Sequence, residues 1–172
     1  HIHDTTTNDG SVVNMAGARY VRFLNCTIHG FRDQQAGTSS AYAVNSRENR
    51  DVLIENCDIS EVYFVLPMWG WDMTLRGSKV HGAHEDAVRI INAINILVED
   101  CEIYDVGEGD DLHNDGIQWF SSDSGAAEQK VPCDNVVIRR VNIHDIEDQD
   151  MLGNFAPFGR HTNFVFENLL LE

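Results

Sequence analysis

The chain has 172 residues, 42% of them hydrophobic, which suits one domain with a sizeable core. Its 28 Asp and Glu against 12 Lys and Arg leave a formal net charge of -16, a balance that repels nucleic acid and anionic membranes. No apolar run is long enough for a membrane span and no signal peptide is recognisable, so nucleic-acid binding and membrane insertion are both set aside.

Taken in chain order, one phrase recurs. It reads VRFLNCTI from Val21, VLIENCDI from Val52, MTLRGSKV from Met73, ILVEDCEI from Ile96, VVIRRVNI from Val136 and FVFENLLL from Phe164. Each copy alternates apolar and other residues on both sides of a break, which predicts a strand, a sharp bend and a second strand. Asn25, Asn56, Asp100 and Asn168 stand at the break, and Asn and Asp tolerate the left-handed backbone that a bend without glycine needs. The copies start 31, 21, 23, 40 and 28 residues apart. Constant phrases at irregular spacing predict an all-β solenoid, a single right-handed parallel β-helix of about six coils over residues 1–172, whose strands are fixed while its turns vary. A β-sandwich of hairpins would need tight Asn-Gly or Asp-Gly turns, which are scarce here.

Two inward ladders follow from the alternation: Val21, Val52, Met73, Ile96, Val136 and Phe164, then Ile28, Ile59, Val80, Ile103, Ile143 and Leu171. Cys26, Cys57 and Cys101 share one place in the phrase, with Ser78 in the intervening coil. They are expected to stack as unbridged small groups. Cys133 lies outside the pattern. No amphipathic capping helix is legible at either end, so further sequence of a larger protein or another subunit, such as a homotrimer partner, is expected to cover the outer coils.

Ahead of the strand phrases lies a second motif. His84-Glu85-Asp86-Ala87-Val88-Arg89 matches His113-Asn114-Asp115-Gly116-Ile117-Gln118, and Asp148-Gln149-Asp150-Met151-Leu152 is read as the next copy. Thr7-Asn8-Asp9-Gly10 is read as an earlier one. Stacking would bring His84, His113 and Asp148 into one column and Asp86, Asp115 and Asp150 into another. Stacked carboxylates repel and require a cation, a shared proton or backbone donors. One reading is a calcium site of Asp86, Asp115 and Asp150 beside the acidic Gly107–Asp111 loop; the other is that each Asp caps its own turn. If Val88 and Ile117 point inward, Arg89 and Gln118 point outward. Trp119 and the insertion from Ser121 to Cys133 are expected to form a wall beside them, and Trp69 and Trp71 lie on the same series of strands. His29, His81 and His144 form another polar edge, read as solvated strand ends.

The strand phrases and the H-x-D-G-I-Q string resemble the pectate-lyase-like superfamily of right-handed β-helices, over nearly the whole chain. That superfamily includes polysaccharide lyases, hydrolases, mannuronan C5-epimerases and phage tail spikes. Asp111-Leu112-His113 is similar to the D-P-H of the epimerases, with leucine in place of proline and without a tyrosine just ahead. The resemblance implies an extracellular or virion-surface protein that interacts with a polysaccharide. In a lyase or epimerase of an acidic polysaccharide, His113 would be the base, oriented by Asp111 or Asp115, and Arg89 or calcium would neutralise the uronate carboxylate. His84, Asp86, Gln118 and Trp119 would then bind substrate. The alternative is a non-catalytic tail-spike or adhesin-type segment that recognises host glycans.

Overall fold

The computed structural model describes residues 2–3, 11–30, 42–107, 114–123, 130–153 and 157–172. Its strands, in chain order, are β1 (Ile2–His3), β2 (Val13–Asn14), β3 (Arg19–Leu24), β4 (Thr27–His29), β5 (Val44–Asn45), β6 (Asn49–Glu55), β7 (Asp58–Val62), β8 (Leu66–Arg76) and β9 (Lys79–Ala83). They continue as β10 (Val88–Glu99), β11 (Glu102–Val106), β12 (Asp115–Phe120), β13 (Asp134–Arg139), β14 (Asn142–Ile146), β15 (Gln149–Gly153), β16 (Thr162–Glu167) and β17 (Leu170–Leu171). Every pairing between them is parallel.

The chain winds as a parallel β-helix with three faces. One face stacks β1, β4, β7, β9, β11, β14 and β17, so among the described residues it holds seven rungs where about six were expected, β1 being the addition. A second stacks β3, β6, the later parts of β8 and β10, then β13 and β16. The third stacks the earlier parts of β8 and β10 with β12 and β15. Strand β10 therefore turns a corner, and its register against β8 shifts between Ile91 and Ile94.

The corners follow from backbone chemistry. Three columns of residues with positive φ run along the helix: Tyr20, Asp51, Asp72, Asn95, Asn135 and Asn163; Asn25, Asn56, Gly77, Asp100, Arg140 and Asn168; and Glu61, Gly82, Asp105 and Asp145. Most are Asn, Asp or Gly, the residues that bear this conformation at least cost. Side chains along the first column also bond to one another: the Asn95 amide donates to Asp72 Oδ1 at 2.7 Å, and the Asn135 amide to Asn95 Oδ1 at 2.8 Å.

Both inward ladders form in the expected register. Ile28, Ile59, Val80, Ile103 and Ile143 are fully buried, each worth roughly 1.5–3 kcal/mol of apolar transfer. Cover thins at the last rungs, where Phe166 and Leu171 are exposed. Beside the ladders, the residue before each second-column bend carries a charge from the second coil onward. Glu55, Arg76, Glu99, Arg139 and Glu167 pair rung to rung with alternating sign. The nearly buried Glu99 carboxylate accepts from Arg76 Nε at 2.6 Å, Arg139 Nε at 2.8 Å and Arg140 Nη2 at 2.8 Å. Cys26, Cys57, Cys101 and Cys133 are all free thiols.

Candidate functional site

The site lies where the chain enters the third face. Pairing of Val88 with Leu66 and with Ile117 sets Phe64, Asp86 and Asp115 one above another, and Asp115 pairs with Gln149. Gln149, not Asp150, is therefore the next member of this column. The expected Asp86, Asp115, Asp150 column is corrected by one residue, and in a strand one residue is the opposite face. Asp150 is partly buried on that other row. The string Asp148-Gln149-Asp150 offers two nearly equivalent registers, and the coil settles it by pairing Ile117 with Met151.

Four residues close a ring across two coils, three links running between side chains and one through a backbone N–H. The Asp115 backbone N–H donates to Asp86 Oδ1 at 3.1 Å. Gln118 Nε2 donates to Asp115 Oδ2 at 3.0 Å, and Arg89 Nη2 donates to Gln118 Oε1 at 3.4 Å. Arg89 Nε returns to Asp86 Oδ2 at 3.1 Å as an ion pair. Asp86 and Asp115 are fully buried, while the Arg89 side chain keeps 17% of its surface. Val88 and Ile117 are fully buried, so Arg89 and Gln118 stand on the outward row as the alternation requires.

Two rings fix the guanidinium. Its carbon lies 4.2 Å from the Phe64 ring centre and 5.0 Å from that of Phe120, both within cation–π range. Phe64 stacks on Tyr42 at 5.3 Å and meets Tyr63 edge-on at 4.7 Å, and Tyr63 lies 5.2 Å from the buried His84 ring. An aromatic band thus runs beside Arg89 across three coils. Burial pushes the Asp86 carboxyl up to about 8; Arg89 pulls the other way, while Glu85 and Asp115 add to the rise. With its pKa raised, Asp86 exchanges its proton near neutral pH rather than standing as a fixed carboxylate, so its compensation of the Arg89 charge varies with pH. Burial, then the neighbouring Glu85 carboxylate, pushes the Tyr63 phenol up to about 12.

The three carboxylates read as a calcium site do not converge: Asp86 and Asp115 lie on one row, tied to a backbone N–H, an amide and a guanidinium, while Asp150 lies on the other. His113 and Asp111, read from the sequence as candidate catalytic residues, and the acidic loop from residue 108 fall outside the described residues. Trp119 pairs with the inward Ile90, which itself pairs with Met68, and meets Phe164 at 5.4 Å and Phe166 at 5.6 Å, so it packs toward the interior rather than standing as a wall. The shared parity of Ile117 and Trp119 carries that information in the sequence. Phe120, of opposite parity, is the outward ring; Phe64 reaches Arg89 only through coil register, which no local pattern reveals. Trp69 is buried under Arg47 at 4.7 Å, and Trp71 lies under Arg50 at 5.4 Å.

The described part of the insertion leaves the coil through an amide clasp: Asn92 Nδ2 donates to Ser122 O at 2.9 Å and the Ser122 N–H donates to Asn92 Oδ1 at 2.8 Å. The histidine edge is more ordered than solvated strand ends would be. His81, Tyr104 and His144 stack with nearly parallel rings, their centres 4.6 and 5.2 Å apart. His81 Nε2 lies 2.9 Å from Asp58 Oδ1, and His144 sits between Asp145 and Glu102. Its hydrogen bond with Asp145 raises the His144 pKa against the effect of burial, with Glu102 adding to the rise.

No curated protein and no solved structure matches the chain. A family model described as right handed beta helix region matches residues 7–168, nearly the full length. The parallel ladders, the corner columns and this match agree, and the chain belongs to the right-handed β-helix family.

Proposed function

We propose that this β-helix interacts with an acidic polysaccharide at the Arg89 face, with Arg89 receiving a uronate carboxylate and the Phe120 edge meeting a sugar ring. The observation that carries the reading is the fixed guanidinium. It is clamped between Phe64 and Phe120, held by Gln118, and backed by an Asp86 carboxyl whose pKa burial raises. A pre-positioned, partly desolvated cation binds a carboxylate with little ordering cost. The rung spacing of about 4.8 Å also suits a linear polymer whose units repeat at a similar distance.

Two versions of this function make different use of the face. In a lyase or C5-epimerase, Arg89 would neutralise the carboxylate while His113 removes the C5 proton. In glycan recognition of the tail-spike or adhesin kind, the face only binds. Full burial of Asp86 and Asp115 favours recognition, because neither carboxylate meets a substrate and both serve to hold Arg89 and Gln118. An extracellular or virion-surface location accompanies either version.

The test is binding of alginate, pectate and neutral glycans, with and without chelator, alongside ultraviolet detection of unsaturated products. Arg89→Ala is expected to lower affinity for the acidic polymer at least tenfold. Neutral glycans bound equally well, or an unaffected Arg89→Ala, would overturn the reading. Unsaturated product or an altered uronate configuration would assign catalysis; binding without turnover would assign recognition.

A further inference from the structure

We propose that Cys26 and Cys57 are a thiol pair that a peroxide oxidises to a disulfide joining adjacent coils. The register is the first reason. Leu24 pairs with Glu55 and Thr27 with Asp58, so the two cysteines between them are rung neighbours, and the Asp58 N–H donates to Cys26 O at 2.9 Å. Parallel rungs about 4.8 Å apart fall inside the Cα separation a disulfide accepts, about 4.4–6.8 Å.

The second reason is direction. Cys57 Sγ lies 3.3 Å from Glu55 O on its own coil and 3.6 Å from Phe23 O on the coil below, so the thiol leans toward the coil that carries Cys26. Cys26 Sγ lies 3.5 Å from Leu24 O in the same corner. The third reason is access. Both cysteines line an open depression of about 320 Å³, shared with Asn25, Thr27, Asn56 and Gly77. Cys26 is partly exposed and Cys57 buried, which makes the former the point of attack and the latter the resolving thiol. Ser78 takes the next place in the column, so Cys101 has no cysteine on the rung below it, and Cys101 and Cys133 are buried.

The chemistry balances with hydrogen peroxide as the oxidant. The Cys26 thiolate attacks one peroxide oxygen and breaks the O–O bond; after proton transfer, a sulfenic acid and one water result. The Cys57 sulfur then attacks the Cys26 sulfur, the S–S bond forms, and the sulfenic oxygen leaves as a second water. Two electrons pass from the thiols to the peroxide. Burial raises the Cys57 pKa, so the second step is expected to quicken as pH rises.

The experiment treats the folded chain with a small excess of hydrogen peroxide, then unfolds it and counts thiols. Four free thiols should fall to two, the monomer should lose two hydrogens by intact mass, and peptide mapping should join Cys26 to Cys57. Cys26→Ser and Cys57→Ser should each abolish the loss of two hydrogens. Ser78 occupies the same place natively, and circular dichroism checks that both variants fold. A Cys101→Ser chain should behave as the parent. Four thiols retained, a disulfide between molecules, or equal oxidation at Cys101 and Cys133 would each overturn the proposal.

Discussion

The backbone N–H of Asp115 donates to the carboxylate of Asp86 at 3.1 Å, so the acid of one coil caps the turn that begins the next rung. Both residues are fully buried. The pair thus fastens two coils together and aims Arg89 outward. It also makes the site a source of pH dependence.

Asp86→Asn tests that dependence. A carboxyl whose folded pKa is raised favours folding while protonated. Its contribution is full below the ordinary carboxylate pKa of about 4 and is lost as pH rises toward about 8. Asparagine keeps the acceptor for the Asp115 N–H and never ionises. The melting temperature of the parent is expected to fall relative to Asp86→Asn between pH 5 and pH 9, a trend that paired thermal scans at several pH values would read. A constant difference across that range would mean that Asp86 is ionised throughout.

Glu99→Gln tests the charged column. Burial opposes ionisation, but hydrogen bonds from Arg139, Arg76 and Arg140 hold the Glu99 carboxyl below its usual range. A depressed carboxyl contributes stability above its unfolded pKa and loses it as pH falls through the folded value. The substitution is expected to cost about 1–2 kcal/mol near neutral pH, at the modest end because the three arginines are partly exposed and screened. Denaturant unfolding at pH 7 and near pH 3 checks it: the gap between parent and variant should shrink at the lower pH.

Gly70→Ala tests the tightest approach between coils. Gly70 has φ +144, and an added Cβ would fall on the carbonyl of Asn49 on the rung below. Asn49 cannot yield easily, because its side chain accepts from the Ala18 N–H at 2.7 Å and donates to Ser46 at 2.7 Å. The expected cost is about 2–5 kcal/mol. Gly17→Ala is the comparison, with open space around the added methyl and a cost of about 1 kcal/mol from φ alone. Equal melting temperatures for the two variants would contradict this packing.

The repeated phrase made the second and first faces legible, since each copy alternates with a period of two on both sides of its bend and so sets the Val21 to Phe164 and Ile28 to Leu171 ladders. The left-handed bends were legible too, because Asn25, Asn56, Asp100 and Asn168 are residues suited to that backbone. The alternating Glu55, Arg76, Glu99, Arg139 and Glu167 were visible in the same phrase but only gain meaning once the rungs are stacked. What escaped was register across corners. Asp150 and Gln149 differ by one place, and nothing within Asp148–Leu152 fixes which one follows Asp115. Phe64 met Arg89 for the same reason: their contact depends on how many residues each corner consumes. The outward step from Arg89 to Gln118 was legible because both strings carry the same spacing.

The corners have a consequence for how such a protein changes. The step from Val52 to Met73 takes 21 residues and the step from Ile96 to Val136 takes 40, yet both land on the same ladder. Where the longer segment departs, the Asn92 amide grips Ser122 at both ends of its side chain and seals the rung. The stacked strands are therefore indifferent to what hangs between them. Segments of unrelated length and chemistry can be grafted at that junction, one rung at a time, and the scaffold will present each at a fixed height along its axis.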